Sequence, residues 1–245
     1  MMKSFRYGKP FSNIILLFVV VVGGYVTLLT IPHPVGAQGE SEAEILVEKV
    51  RFTLENFISD PDMVWFRDHI KDARGLLIVP QMIKGAFFIG GSGGTGVLMV
   101  RDEKTNEWSY PAFFTLGGAS FGLQFGGQAS EVVLLVMTQK GVDSLMSTTL
   151  KLGADASVAV GPIGRGVEGS TAPNLSADLL SFSKAKGLFA GISLEGAAVA
   201  ARDSLNSSYY NKPTKTIDIL VRRDVSNPHA DPLLSVVKEA TQAAR

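Results

Sequence analysis

Glycine set inside apolar, β-branched sequence is the feature that most constrains this chain. The stretch "FFIGGSGGTGVLMV" (87–100) holds five glycines, and "TLGGASFGLQFGGQ" (115–128) holds five more. The 26 glycines of the chain follow no period of three, which sets collagen aside. Placed among Val, Ile, Leu and Phe, they mark tight turns or points where one backbone lies close to another. The segments between them, "GLLIVP", "GAFFIG", "TGVLMVR", "WSYPAFFTLG", "ASFGLQFGG" and "EVVLLVMT", read as short antiparallel strands joined by tight turns.

Helical spacing appears only at the flanks and once between strands. In "ESEAEILVEKVRFTLENFIS" (40–59), Ala43, Leu46, Val47, Val50, Leu54, Phe57 and Ile58 recur every three or four residues. That stripe is expected to dock on the domain's own core rather than in a membrane. "MVWFRDHIKDA" follows as a shorter helical piece, "QKGVDSLMSTTL" as another, and "DPLLSVVKEATQAAR" as a closing helix capped at or beside Asp231. "DLLSFSKAKGLFAGISLEGAAVAAR" reads as two strands around a polar turn at Lys184-Ala185-Lys186, and "TIDILVRR" as a further strand. No linker divides residues 75 to 225. The expected class is α+β: one domain, a mostly antiparallel glycine-rich sheet with N-terminal helices and a C-terminal helix.

The N-terminus has a different character. Lys3, Arg6 and Lys9 occur without an acid, and "IILLFVVVVGGYVTLLTI" (14–31) is apolar throughout. Pro32, Pro34 and the small-residue pattern Val35-Gly36-Ala37 follow it. These features predict an export signal over residues 1–37 and a domain over 38–245, periplasmic or secreted. The alternative is an uncleaved membrane anchor at 14–31, since the run approaches spanning length. Without the signal's three basic residues, 20 basic side chains face 23 acidic ones. A mildly acidic body does not predict nucleic-acid binding.

Three motifs resemble chemistry, and each lacks its context. Gly91, Gly93 and Gly96 spell G-x-G-x-x-G, but "VLMVRDEKTNEWSY" follows with no helix to aim amides at a phosphate. Ser92 and Ser120 each sit in G-x-S-x-G, yet neither precedes a helix, and His229 with Asp218 or Asp224 is the only downstream set that could complete a triad. Glu131, Asp143, Asp155, Glu168, Asp178 and Glu195 are scattered, without metal-loop spacing. With no cysteine and only His33, His69 and His229, neither a thiolate nor a His-rich metal centre is expected. No cofactor and no enzymatic activity is expected. Glu195, in an otherwise apolar stretch, is expected to form a structural ion pair with Arg202, or with Arg165.

"KAKGLFAGISLEGAAVAAR" (184–202), "ARGLLIVP" (73–80), "WSYPAFFTLGGASFGLQFGGQASEVVLLVM" (108–137) and "GADASVAVGPIGRG" (153–166) together resemble the SYLF domain family. The likeness covers roughly residues 45 to 225. It implies a non-catalytic domain binding membrane lipids, with the glycine blocks serving mainly the fold. Eukaryotic members also bind actin filaments in yeast, but the export signal sets actin aside here. Basic residues near expected turns are then the headgroup candidates: Lys71 and Arg74 before the first strand, Lys84 at the next turn, and Lys184 and Lys186 around the signature turn. The acidic start Glu40, Glu42, Glu44 is poorly suited to an anionic bilayer. The expected function is a lipid-binding protein of the cell envelope, through an anionic headgroup or an acyl chain. The alternative is an envelope scaffold that meets a protein partner without a lipid ligand.

Overall fold

Ser41 caps the first helix in both directions. Its hydroxyl accepts from the Glu44 N–H at 3.2 Å, and its own N–H donates to the Glu44 carboxylate at 2.8 Å. This reciprocal box satisfies two groups that a helix start leaves unpaired. Glu42 and Glu44 also meet the positive end of the helix dipole, so the acidic start has a local structural purpose. The backbone N–H of Ser41 holds the Glu44 carboxyl below its ordinary range.

The computed structural model of the chain describes residues 41–86, 89–121, 126–147, 149–164, 176–185, 188–189 and 194–242. The expected export signal, its alternative as an anchor at 14–31, Arg165 and Lys186 lie outside the described residues. The elements in chain order are α1 (Glu42–Ser59), α2 (Val64–His69), β1 (Gly75–Ala86), β2 (Ile89–Val100), β3 (Ala112–Phe121) and β4 (Gly126–Val136). Then come α3 (Gln139–Leu145), β5 (Thr149–Lys151), β6 (Val158–Val160), β7 (Leu179–Ala185), β8 (Leu188–Phe189) and β9 (Ala198–Ala201). Helices α4 (Asp203–Tyr209), α5 (Thr216–Leu220) and α6 (Asp231–Gln242) close the chain. The strands form one sheet in the order β5-β9-β3-β2-β1-β4-β7-β6, with β8 on β7. Every pairing is antiparallel except β6 with β7. The fold is α+β, as expected. Among the described residues no helix is long and apolar enough to cross a membrane.

The strands differ from the expectation in length. "GLLIVP" and "GAFFIG" do not form two strands parted by a turn. β1 instead runs on through Pro80 to Ala86, taking in the first two residues of "GAFFIG", while Ile89 and Gly90 open β2; the pairing of β1 with both neighbours shifts near Pro80-Gln81 and then resumes. Gly91, Gly93 and Gly96 likewise lie inside β2 rather than at its end. The reason is close approach. A side-chain carbon on Gly94 would overlap the Gln81 carbonyl and stand 2.7 Å from Val79 Cγ1. On Gly96 it would overlap the Ile78 carbonyl and stand 2.7 Å from Val79 Cγ2. Glycine at these two positions lets the sheet curl across the β1 irregularity.

The lower halves of the central strands hold the core. Leu76 to Val79, Val97 to Met99 and Val132 to Val136 are buried at every position, so both faces of the sheet are covered there. Helix α1 contributes Val47, Val50, Leu54 and Phe57, all fully buried and touching the β1 and β2 region and α6. Each such side chain stabilises the fold by about 1.5–3 kcal/mol relative to exposure. The amphipathic stripe of residues 40–59 therefore faces the domain's own core, as its width predicted.

Asp178 ties β7 to the chain around α3. Its carboxylate accepts from the Thr138 hydroxyl at 2.7 Å, Lys140 Nζ at 3.1 Å, and both the N–H and the hydroxyl of Ser157 at 2.9 Å. Burial opposes its charge, but these donors win and hold the carboxyl far below the usual range. Residues 216–220 correct the strand expected at "TIDILVRR". They form α5, in which Thr216, Ile219 and Leu220 are buried at helical spacing and the Asp218 carboxylate accepts from the Lys215 N–H at 2.9 Å. A cap plus a one-sided apolar stripe outweighs the β-branched composition.

Candidate functional site: a groove between helix α1 and the sheet

Lys49, Phe52, Thr53 and Asn56 fall at i, i+3, i+4 and i+7 on α1 and so share one face. That face overlooks the sheet where β1, β4 and β7 run side by side. Between them lies an open groove of about 590 Å³, floored by Pro80 and Gln81 of β1, Ala129 to Glu131 of β4 and Lys184 of β7.

The irregular register makes the groove. Val79 pairs with Val132 and Met82 with Ser130, so Pro80 and Gln81 together stand opposite the single residue Glu131. Such a bulge bends its strand and re-aims neighbouring side chains. Proline brings no N–H to the ladder, so it fits at this interruption.

Glu131 is the chemical centre of the groove. Its Oε1 accepts a long hydrogen bond, 3.5 Å, from the Thr53 hydroxyl, and Lys184 stands directly opposite it in the β4–β7 ladder. Burial pushes the Glu131 carboxyl up. Lys184, Thr53 and Asn56 pull the other way without overcoming it. Lys184 also pairs with Asp60 just beyond α1, Nζ to Oδ2 at 3.3 Å. Apolar surface adjoins these charges. Phe52 is 54% exposed with the Arg51 guanidinium 4.1 Å above its ring, and Ile83, opposite Ala129 in the ladder, is 56% exposed. The arrangement suits hydrogen-bond donors at Glu131 beside an apolar side chain at Phe52 and Ile83. It is a binding geometry.

The five residues expected to meet headgroups are dispersed, as far as they are described. Lys71 sits in a 3-10 turn (Ile70–Asp72), and Arg74 pairs with Glu103 just before β1. Lys84 lies within β1 rather than at a turn, because that strand runs on from Pro80 to Ala86. The ladder pairs Lys84 with Gln128 and Lys184 with Glu131, positions of opposite parity on β4, so the two lysines occupy opposite faces of the sheet. Of the described members of this set only Lys184 lines the groove. Glu195 is exposed in the turn ahead of β9 beside Gly153. Arg202 makes its ion pair with Glu42, at 3.4 Å, and its guanidinium also donates to the Thr95 hydroxyl at 3.2 Å.

The nucleotide and hydrolase motifs are strand sequence. Ser92 donates to the Gly118 carbonyl at 3.4 Å, and Ser120 lies on β3 with its side chain outside the described residues. His229 shares a 3.2 Å contact with the Tyr209 hydroxyl. Glu131, Thr53, Asn56 and Phe52 did not emerge from the sequence as a site. They come from separate elements that only the fold assembles. One signal was present, namely a single charge inside "SEVVLLVM", where every residue after it is apolar.

A family model described as Ysc84, Las17-binding protein actin regulator, matches residues 117–240. SH3 domain-containing YSC84-like protein 1 of Bos taurus is 32% identical over 214 residues, spanning 86% of this chain and 61% of that protein. The Homo sapiens protein of the same name is 30% identical over 213 residues. LAS seventeen-binding protein 3 of Saccharomyces cerevisiae is 33% identical over 211 residues, spanning 85% of this chain and 45% of that protein. The chain thus spans about half to three-fifths of the length of these relatives. These matches correct the expected partners. Membrane lipids were expected with actin set aside, whereas the relatives are named for an SH3 domain and for binding Las17, and the family for actin regulation. The partner class they point to is protein.

Proposed function

Because this chain belongs to the Ysc84 family of SYLF domains, we propose that it is a non-catalytic protein-binding domain of the actin-regulatory kind. Its relatives are named for binding rather than for a reaction. The partner's contact surface is the groove between α1 and the sheet. One observation carries that assignment: Glu131 is held half-buried at the groove floor, with its charge disfavoured by burial beyond what Lys184, Thr53 and Asn56 offset. A carboxylate in that state gains from a donor brought in by a partner. Four groove residues, Ala129, Ser130, Glu131 and Lys184, fall inside the segment that matches the family model.

Phe52 supplies the apolar part of the contact. Exposed aromatic side chains beside a desolvated polar group are the usual anchors of protein interfaces. Co-sedimentation of the full chain with actin filaments, and capture on purified Las17, tests the reading. Binding to at least one of the two is expected, with Phe52→Ala weakening it about tenfold, the loss of one anchor. Sedimentation with lipid vesicles and with neither protein would overturn it in favour of a lipid ligand.

A further inference from the structure

A second cleft, sharing no residue with the groove, lies where the 3-10 turn Ile70–Asp72, the β2–β3 connection and the end of α6 meet. Its volume is about 870 Å³. Arg101 is its most unusual member. Its guanidinium lies 5.9 Å from the centre of the Trp108 ring, and the two residues face each other across an isolated bridge that continues the β2 end. Among the described residues its guanidinium donates to no carboxylate or carbonyl. Burial disfavours its charge, and Asp72 only partly compensates. Trp108 is itself fixed, because its indole Nε1–H donates to Thr241 Oγ1 of α6 at 3.2 Å. The guanidinium is thus partly buried and steadied from one side, and among the described residues none accepts from its N–H groups.

We infer that this cleft binds the carboxylate of an acidic protein segment, with Arg101 as the principal contact. A guanidinium presents a planar fork that matches a carboxylate in a bidentate pair, and desolvation strengthens such a pair. The surrounding charges favour an anion. Lys71, Arg101 and Lys238 line the cleft with Asp72 and Glu107, so three cations against two carboxylates leave a single positive charge. Asn106 and Gln242 add uncharged donors and acceptors suited to peptide amides. The inference rests on the protein-binding reading only for the ligand's class, and the site is tested without any partner of the groove.

The chain has two tryptophans, Trp65 and Trp108, so their indole N–H resonances are separable by Trp65→Phe. The full chain, labelled with ¹⁵N, is titrated with a blocked peptide carrying one Glu among glycines, with its Gln counterpart, with inorganic phosphate, and with phosphatidylserine–phosphatidylcholine vesicles. A saturable shift of the Trp108 resonance with the Glu peptide is expected, absent with the Gln peptide, while Trp65 stays still. Arg101→Gln weakens it at least about tenfold, the loss of one charge-assisted pair. Arg101→Lys keeps the charge without the fork and falls between. Equal shifts from the Glu and Gln peptides, no shift at all, or a response confined to phosphate or vesicles would overturn the inference. Filament binding lost with the peptide response intact would count against the groove alone.

Discussion

Asp178 and Glu131 are carboxylates at the two ends of one neighbourhood, and the sheet treats them oppositely. Asp178 precedes β7 and collects four hydrogen bonds from Thr138, Lys140 and Ser157. Glu131 lies on β4, the strand paired with β7, and its carboxyl is raised by burial despite Lys184 across the ladder. The first is satisfied from within, so its negative charge stabilises the fold. The second is buried beyond what its internal partners offset, so its charge costs the fold something. A group kept at such a cost beside an open groove serves binding better than stability.

Four substitutions sharpen or break this contrast. Gly96→Ala should be the most damaging, because the new methyl group overlaps the Ile78 carbonyl and crowds Val79 beside the bulge. A loss of about 3 kcal/mol in denaturant unfolding is expected, at the upper end of overpacking effects. Asp178→Asn should lose about 2 kcal/mol, since either amide orientation turns an NH₂ toward a donor that now bonds oxygen. Glu131→Gln removes a disfavoured charge and keeps the shape, so the unfolding midpoint should hold or rise by up to about 1 kcal/mol. Phe52→Ala, at a side chain more than half exposed, should change stability by less than about 0.5 kcal/mol. A large stability loss in Glu131→Gln, or none in Asp178→Asn, would erase the distinction.

The same pair predicts opposite pH slopes. Asp178 has a lowered carboxyl, so its contribution is full above the ordinary value of 3.8 and is lost as pH falls toward the folded value. Glu131 has a raised one, so its cost is full at neutral pH and is relieved as pH falls through the raised value toward the ordinary 4.5. The stability gap between wild type and Glu131→Gln should therefore close between neutral pH and about 4.5, before the penalty of Asp178→Asn begins to shrink. Urea unfolding at stepped pH measures both.

Much of the fold was legible because local rules and tertiary contacts agree there. The stripe from Ala43 to Ile58 predicted α1 and its inward face, and Leu233 to Val237 likewise anticipated α6. The misreadings fall where one residue type has two physical uses. Gly91 to Gly96 read in the sequence either as a connection between strands or as strand positions where a side chain would collide with a neighbour; the second holds at Gly94 and Gly96, and only the neighbouring bulge distinguishes the two uses. Residues 216–221 look like a strand by composition until Asp218 is seen to cap a helical turn. The groove itself was hidden because it depends on a register shift. Nothing local places Pro80 and Gln81 opposite Glu131, or Lys184 across the same ladder. The sequence places Lys184 beside a turn, whereas the structure sets it against Glu131 and Asp60.

The most direct measurement pairs two readouts on Glu131→Gln, the unfolding midpoint of the variant and its affinity for the protein partner that wild type binds. A midpoint equal to or above wild type with affinity reduced about tenfold is the expected result, since the lost carboxylate is worth one charge-assisted contact to the partner and none to the fold. A lower midpoint with unchanged affinity would show Glu131 to be structural and the groove to be no binding surface.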